Sequence, residues 1–157
     1  MDIEMLHLVD GARQATGLTV IIDVFRAFST ACYTVFQGAS RIIPVGDLDL
    51  AYELKKKNPE FLLVGEREGQ RPPGFDYGSS PTEIEAVDFR NRTIVQTTSA
   101  GTQGIASADE ADEIITGSFV NAWAIVSYIR LKAPEKVSLV CMGQEAIEPS
   151  DEDSLCA

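Results

Sequence analysis

Asp23 closes the apolar run Leu18-Thr-Val-Ile-Ile22, so a carboxylate stands where a buried strand gives out. Such a position suits Mg²⁺, which takes one or two carboxylates and fills its other sites with water and phosphate oxygens. It equally suits a nucleophile toward phosphorus or a cap on the next helix. Arg26, three residues on, opens an apolar helical stretch at the end where a cation opposes the helix dipole. It calls for an anion, which is either a substrate or Asp23 itself. The turn Thr97-Thr-Ser-Ala-Gly-Thr102 offers hydroxyls, a glycine and the free amides of a helix start. These are the parts of an anion cradle, and also of an ordinary capping turn. No Lys follows the glycine, so the turn is not a P-loop. Gly65-Glu-Arg67 begins a long loop through Arg71, Phe75, Asp76 and Tyr77 to Ser80-Pro81. A loop of that length in a compact domain is either functional or disordered, and its prolines and aromatics favour an ordered one. Glu66 and Arg67 are candidates for acid–base work and anion binding, or for pairing with each other. Ser80-Pro81 also reads as an N-cap followed by Pro at the first helical position.

His7 is the only histidine and reads as a surface residue, which leaves no His-rich metal centre and disfavours a histidine triad. Acid–base or metal chemistry must therefore come from carboxylates. Cys32, Cys141 and Cys156 are odd in number and far apart, so neither a zinc spacing nor a disulfide framework is indicated. Free thiols and a start without a basic, apolar leader point to a reducing cytoplasm. Cys32 and Cys141 read as small buried hydrophobes.

The elements that must position these groups alternate along the chain. Short apolar runs predict strands at Leu18–Asp23, Arg41–Val45, Phe61–Val64, Arg92–Thr97, Ala111–Thr116 and Lys136–Cys141. Between them the pattern predicts helices at Arg26–Gly38 and Leu48–Lys57, a short one opened by Pro81, another after the Ser/Thr/Gly turn, and one at Phe119–Lys132. The last is apolar on most sides and is expected to be buried, with Ser118 as its cap. This alternation predicts an α/β chain of three layers, α/β/α, with a mostly parallel sheet of about six strands in one domain over residues 1–157. The loops after parallel strands share the carboxyl edge. That edge should gather Asp23, Gly65-Glu-Arg67, Thr97–Thr102, Gly117-Ser118 and Cys141-Met-Gly143.

With 157 residues, 45% of them apolar, the chain is large enough for a real core and too apolar for a disordered acidic tail. Its net charge of −11 disfavours nucleic acid and anionic membranes as partners, and no apolar run approaches a membrane span. A small anionic substrate then needs local cations. Five acids, Glu145, Glu148, Asp151, Glu152 and Asp153, crowd the last stretch, while Arg26, Arg67 and Arg71 sit on the expected active edge.

Taken in order, Asp23-Val-Phe-Arg26, Gly65-Glu-Arg67, Gly74-Phe-Asp76 with Gly78-Ser-Ser-Pro81, Thr97-Thr98 with Gly101-Thr102, Gly117-Ser-Phe-Val-Asn121 and Glu152-Asp153 resemble the motif series of 2-phosphosulfolactate phosphatases. The resemblance implies a Mg²⁺-dependent hydrolase that converts 2-phosphosulfolactate to sulfolactate and phosphate in coenzyme M biosynthesis, on an α/β/α fold. It implies Asp23, Arg26, Glu66 and Arg67 as catalytic residues, and Ser80, Thr98, Ser99, Gly101, Thr102 and Asn121 as substrate-binding ones. Asp23, Asp76, Glu152 and Asp153 would serve the metal. The partner expected is a small anionic phosphorylated substrate, and the expected state a homo-oligomer. Two positions depart from the family pattern: Ser79 and Ala100 stand where Asn is expected, and each removes an amide that could touch substrate. Family members continue past the Glu-Asp motif, so the chain reads as a catalytic part whose uncovered surface another chain would cover. The rival reading is a non-catalytic relative that binds an anionic metabolite in the same pocket.

Overall fold

The computed structural model describes residues 1–157 and holds seven strands in two all-parallel sheets. Strand β1 (Asp2–His7) and helix α1 (Leu8–Gln14) precede β2 (Gly17–Ile22), α2 (Ala27–Phe36), β3 (Arg41–Pro44), α3 (Leu48–Lys57) and β4 (Leu62–Gly65). After the long loop come α4 (Pro81–Ile84), β5 (Thr93–Thr97), α5 (Gly101–Ser107), β6 (Ala111–Gly117), α6 (Ala122–Lys132), β7 (Lys136–Cys141) and α7 (Asp151–Cys156). The first sheet runs β1-β7-β2-β6 and the second β3-β5-β4.

Alternation along β2 explains the layers of the first sheet. Ile21 points into a cluster with Ala12, Phe28, Val140 and Met142, roofed by α1, α2 and the end of α5. Its neighbours Val20 and Ile22 point the other way, with Val137, toward Ile125 and Ile129 of α6. The second sheet is also covered twice. Leu63 and Val95 pack with Ala51 of α3 and Phe75, while Val64 and Ile94 pack with Ile84 of α4 and Phe89. The expected three-layer architecture is therefore present, with one strand more than the sequence pattern suggests and with the strands divided four and three.

Local chemistry sets the element ends. Asp47 caps α3 by accepting from the Asp49 N–H, and Lys55, Lys56 and Lys57 crowd its negative end. Pro81 occupies the first turn of α4. The expectation of a buried helix after β6 is not met. Helix α6 begins at Ala122, with Asn121 rather than Ser118 at its N-cap, and has no buried residue. Ile125 and Ile129 face the sheet, but Trp123 and Leu131 are about four-fifths exposed, at 76% and 82%. Its outer apolar surface meets nothing in this chain. No helix is long and apolar enough to cross a membrane.

Candidate active site

A cleft of about 490 Å³ opens at the carboxyl ends of β2, β4, β5 and β7, where the two sheets meet. Each of these loops sends in a residue: Asp23, Phe25 and Arg26 after β2, Glu66 after β4, Ser99 and Ala100 after β5, and Gly143 after β7. The N-terminal end of α7, with Asp151, Glu152 and Asp153, closes one side, and Ser79 stands in the wall. The loop after β6 does not reach the cleft. It folds on itself, because Asn121 accepts from the Ser118 N–H and donates to the Thr116 carbonyl.

Asp23 is buried at 5% exposure and binds two loops at once. Its Oδ1 accepts from the Ala27 N–H at 3.0 Å and its Oδ2 from the Gly101 N–H at 2.8 Å. Gly101 is required by this approach: a Cβ there would stand 2.9 Å from Asp23 Oδ2 and 2.8 Å from Ala27 Cβ. Burial raises the Asp23 carboxyl to about 7, the Ala27 and Gly101 amides hold it down, and the charges of Asp153 and Glu66 push it up. Asp153, also buried, accepts from the Val24 and Gly143 N–H groups at 2.8 Å each. Its pKa too is raised, chiefly by burial.

Glu66 accepts from the Ser99 N–H and hydroxyl and from the Gly69 N–H, so its oxygens are committed to fixing the Ser99 turn. Arg26 lies on the cleft, exposed and without an ion pair or hydrogen bond for its guanidinium. The amides of Phe25, Arg26 and Ala100 also carry no hydrogen bond, and all three residues line the cleft. Ser79 is buried and its hydroxyl has no partner.

Several residues singled out in the sequence stand elsewhere. Arg67 turns from the cleft and donates to the carbonyls of Glu66 and Gly46 and to the Thr97 hydroxyl, at 2.6–2.9 Å. Asp76 accepts from the Leu63 N–H and pairs with Lys55. Thr98 and Thr102 bond each other beneath the turn, Ser80 bonds Thr82, and Arg71 pairs with Glu83. Brought together are Asp23, Arg26, Glu66, Ser99, Gly101, Glu152 and Asp153. Gly143 reaches the cleft as expected of the carboxyl edge, and so does Ser79, which stands where the family pattern has Asn, whereas Gly69 and Gln144 also line it and were missed in the sequence. Neither Gly69 nor Gln144 carried a signal, since each is an ordinary loop residue in the sequence.

Six carboxylates line the cleft (Asp23, Glu66, Glu145, Asp151, Glu152, Asp153) against one cationic side chain, Arg26. A phosphate dianion enters such a field only with a cation beside it. No three acidic, histidine or cysteine side chains are spaced to cage an ion alone. Mg²⁺ needs no such cage, since it is held by one or two carboxylates with water and phosphate oxygens completing the shell. Asp23 and Glu152 fit that requirement: the first is a buried carboxylate surrounded by like charge, and the second lies on the cleft with no protein hydrogen bond to its side chain.

The family model described as 2-phosphosulpholactate phosphatase matches residues 5–157. A probable 2-phosphosulfolactate phosphatase of Thermotoga petrophila is 45% identical over 124 residues, which are 79% of this chain and 52% of the relative. One of Thermoplasma acidophilum is 34% identical over 155 residues, 98% of this chain and 69% of the relative. One of Clostridium perfringens is 32% identical over 153 residues, 95% and 61% of the two chains. The chain thus spans about half of the first of these relatives and up to about two thirds of the others.

Proposed function

The chain belongs to the 2-phosphosulpholactate phosphatase family, and from that premise we propose that it hydrolyses a small phosphorylated 2-hydroxy acid, 2-phosphosulfolactate, to sulfolactate and phosphate. One observation carries the reading most directly. An unpaired arginine and three residues with unbonded backbone amides line the same cleft as a buried, charge-crowded aspartate. Mg²⁺, held by Asp23 and Glu152, would neutralise the phosphate and stabilise charge on its oxygens.

The protein's own groups do the rest. Arg26 pairs with phosphate or with the substrate's second acid group through its planar fork. The Phe25, Arg26 and Ala100 amides donate to oxygens that gain charge in the transition state. Glu66 holds the Ser99–Gly101 turn and so keeps Ala100, whose amide is unbonded, in the lining of the cleft. Asp23 is pinned by Ala27 and Gly101 and so meets the reacting phosphate without reorganising. We propose in addition that the reaction is a step in coenzyme M biosynthesis, carried out in the cytoplasm by a homo-oligomer, a setting supported by the family resemblance, the free cysteines and the exposed apolar side chains of α6.

Phosphate release from phosphosulfolactate, phospholactate and phosphoglycolate, measured with Mg²⁺ and then with EDTA, tests the reading. The expected result is turnover of phosphosulfolactate that EDTA abolishes. Calorimetric binding of these acids without any turnover would overturn it.

A further inference from the structure

Three carboxylates at the cleft each join two loops. Asp23 ties the ends of β2 and β5, Glu66 ties the loops after β4 and β5, and Asp153 ties the ends of β2 and β7. The ladder between β2 and β7 stops at Ile22 and Cys141, with the Met142 N–H on the Ile22 carbonyl as its last rung. Beyond it, the amides of Val24 and Gly143 have no strand partner. Asp153, 2% exposed, supplies one oxygen to each. The turn it grips is tightly built: Gly143 lies at φ +65°, and a Cβ there would stand 2.1 Å from the Glu148 carbonyl oxygen.

We propose that Asp153 is a positioning residue for the reaction at Asp23, fixing the Val24 and Gly143 amides so that the ends of β2 and β7 stay side by side under the substrate. This rests on the functional reading above and gives Asp153 a role distinct from holding the metal. Two charge-assisted bonds to backbone N–H groups fix an oxygen pair more firmly than a single one does. Val24 follows Asp23 directly and precedes Phe25 and Arg26, which line the cleft with unbonded amides, so movement at Val24 carries those amides with it. Misplacing reacting groups by about 1 Å can cost on the order of 100-fold in rate.

The test compares wild type with D153N, which keeps one acceptor oxygen and sets its NH₂ against the other amide. D153A serves as a second variant, and both are checked for folding by circular dichroism and Tm. Amide exchange read by ¹⁵N NMR should quicken at Val24 and Gly143 in D153N while the Ala27 and Gly101 amides stay protected. The kcat for phosphate release should fall by up to about 100-fold, with KM and the Mg²⁺ affinity from calorimetry unchanged. A Mg²⁺ affinity that falls in step with kcat would overturn the proposal in favour of a ligand role. Unchanged kcat with faster exchange would reduce Asp153 to a structural brace, and unchanged exchange would contradict the geometry. A wild type that releases no phosphate would instead sink the functional reading, while exchange and calorimetry would still separate a brace from a ligand.

Discussion

Burial pushes the Asp23 carboxyl up to about 7, the Ala27 N–H draws it back, and the negative charge of Asp153 raises it again. A carboxyl whose folded pKa is raised stabilises the fold below its unfolded value, and that contribution is lost as pH climbs through the folded value. The window runs from 3.8 to about 7, which at about 1.4 kcal/mol per pH unit amounts to about 4 kcal/mol. D23N should therefore lose less Tm than wild type between pH 5 and 8, although its NH₂ leaves one of the two amides unpaired. Mg²⁺ should raise the wild-type Tm at pH 8, raise it far less at pH 5.5 where a proton competes, and leave D23N unmoved. Calorimetric melting at the two pH values checks all three outcomes. At this scale the sequence already exposed Asp23 and Arg26, because a charged residue ending an apolar run is visible as text. It did not expose the fate of Arg67. The carbonyls of Glu66 and Gly46 that claim its guanidinium are brought to it only by tertiary contact, and no spacing rule encodes them.

Helix α5 begins where strand β5 hands Gly101 to the Asp23 carboxylate, so the start of one element is fixed by the end of another. G101A should place its methyl group on Asp23 and Ala27, moving the carboxylate from the cleft floor. The expected result is a stability loss of about 1–3 kcal/mol with a disproportionate fall in kcat, measured by denaturant unfolding beside initial rates. A loss of stability with kcat intact would show that Asp23 tolerates displacement. Most elements were legible from periodicity, including α3 and the run-like strands. Strand β1 was not, because Asp2-Ile-Glu-Met-Leu-His7 forms an edge paired on one side only, to β7, and is too exposed to read as a buried run. Helix α6 misled in the opposite way. Its apolar composition implies burial, but composition does not say whether the covering surface lies in the same chain.

Across the whole molecule, an acidic chain of net charge −11 encloses an acidic cleft, and a second, apolar surface lies away from it on α6 and β1. Trp123, Val126 and Leu131 of α6, with Ile3 and Met5 of β1, stay open to solvent. Ile3 and Val126 line one apolar hollow with Met1, Ile125 and Ile129, and exposed apolar patches of this kind mark association sites. A homo-oligomer is expected in sedimentation at micromolar concentration, and V126E should shift it to monomer without loss of helical signal. A monomeric wild type would contradict that expectation. The architecture, three layers with parallel strands whose loops gather at one edge, followed from the alternation of strand and helix. The division into two sheets did not, since hydrophobic runs mark strands without saying which pair. That division matters because the cleft lies on the seam, spanned by Asp23 to Gly101. The central claim is that this seam hydrolyses a phosphomonoester through Asp23 and Arg26. It is tested most directly by phosphosulfolactate turnover in wild type, D23N and R26A, each with Mg²⁺. A loss of about 100-fold or more in kcat/KM is expected for both variants, equivalent to about 2.7 kcal/mol of transition-state stabilisation. Full activity in both variants would contradict it.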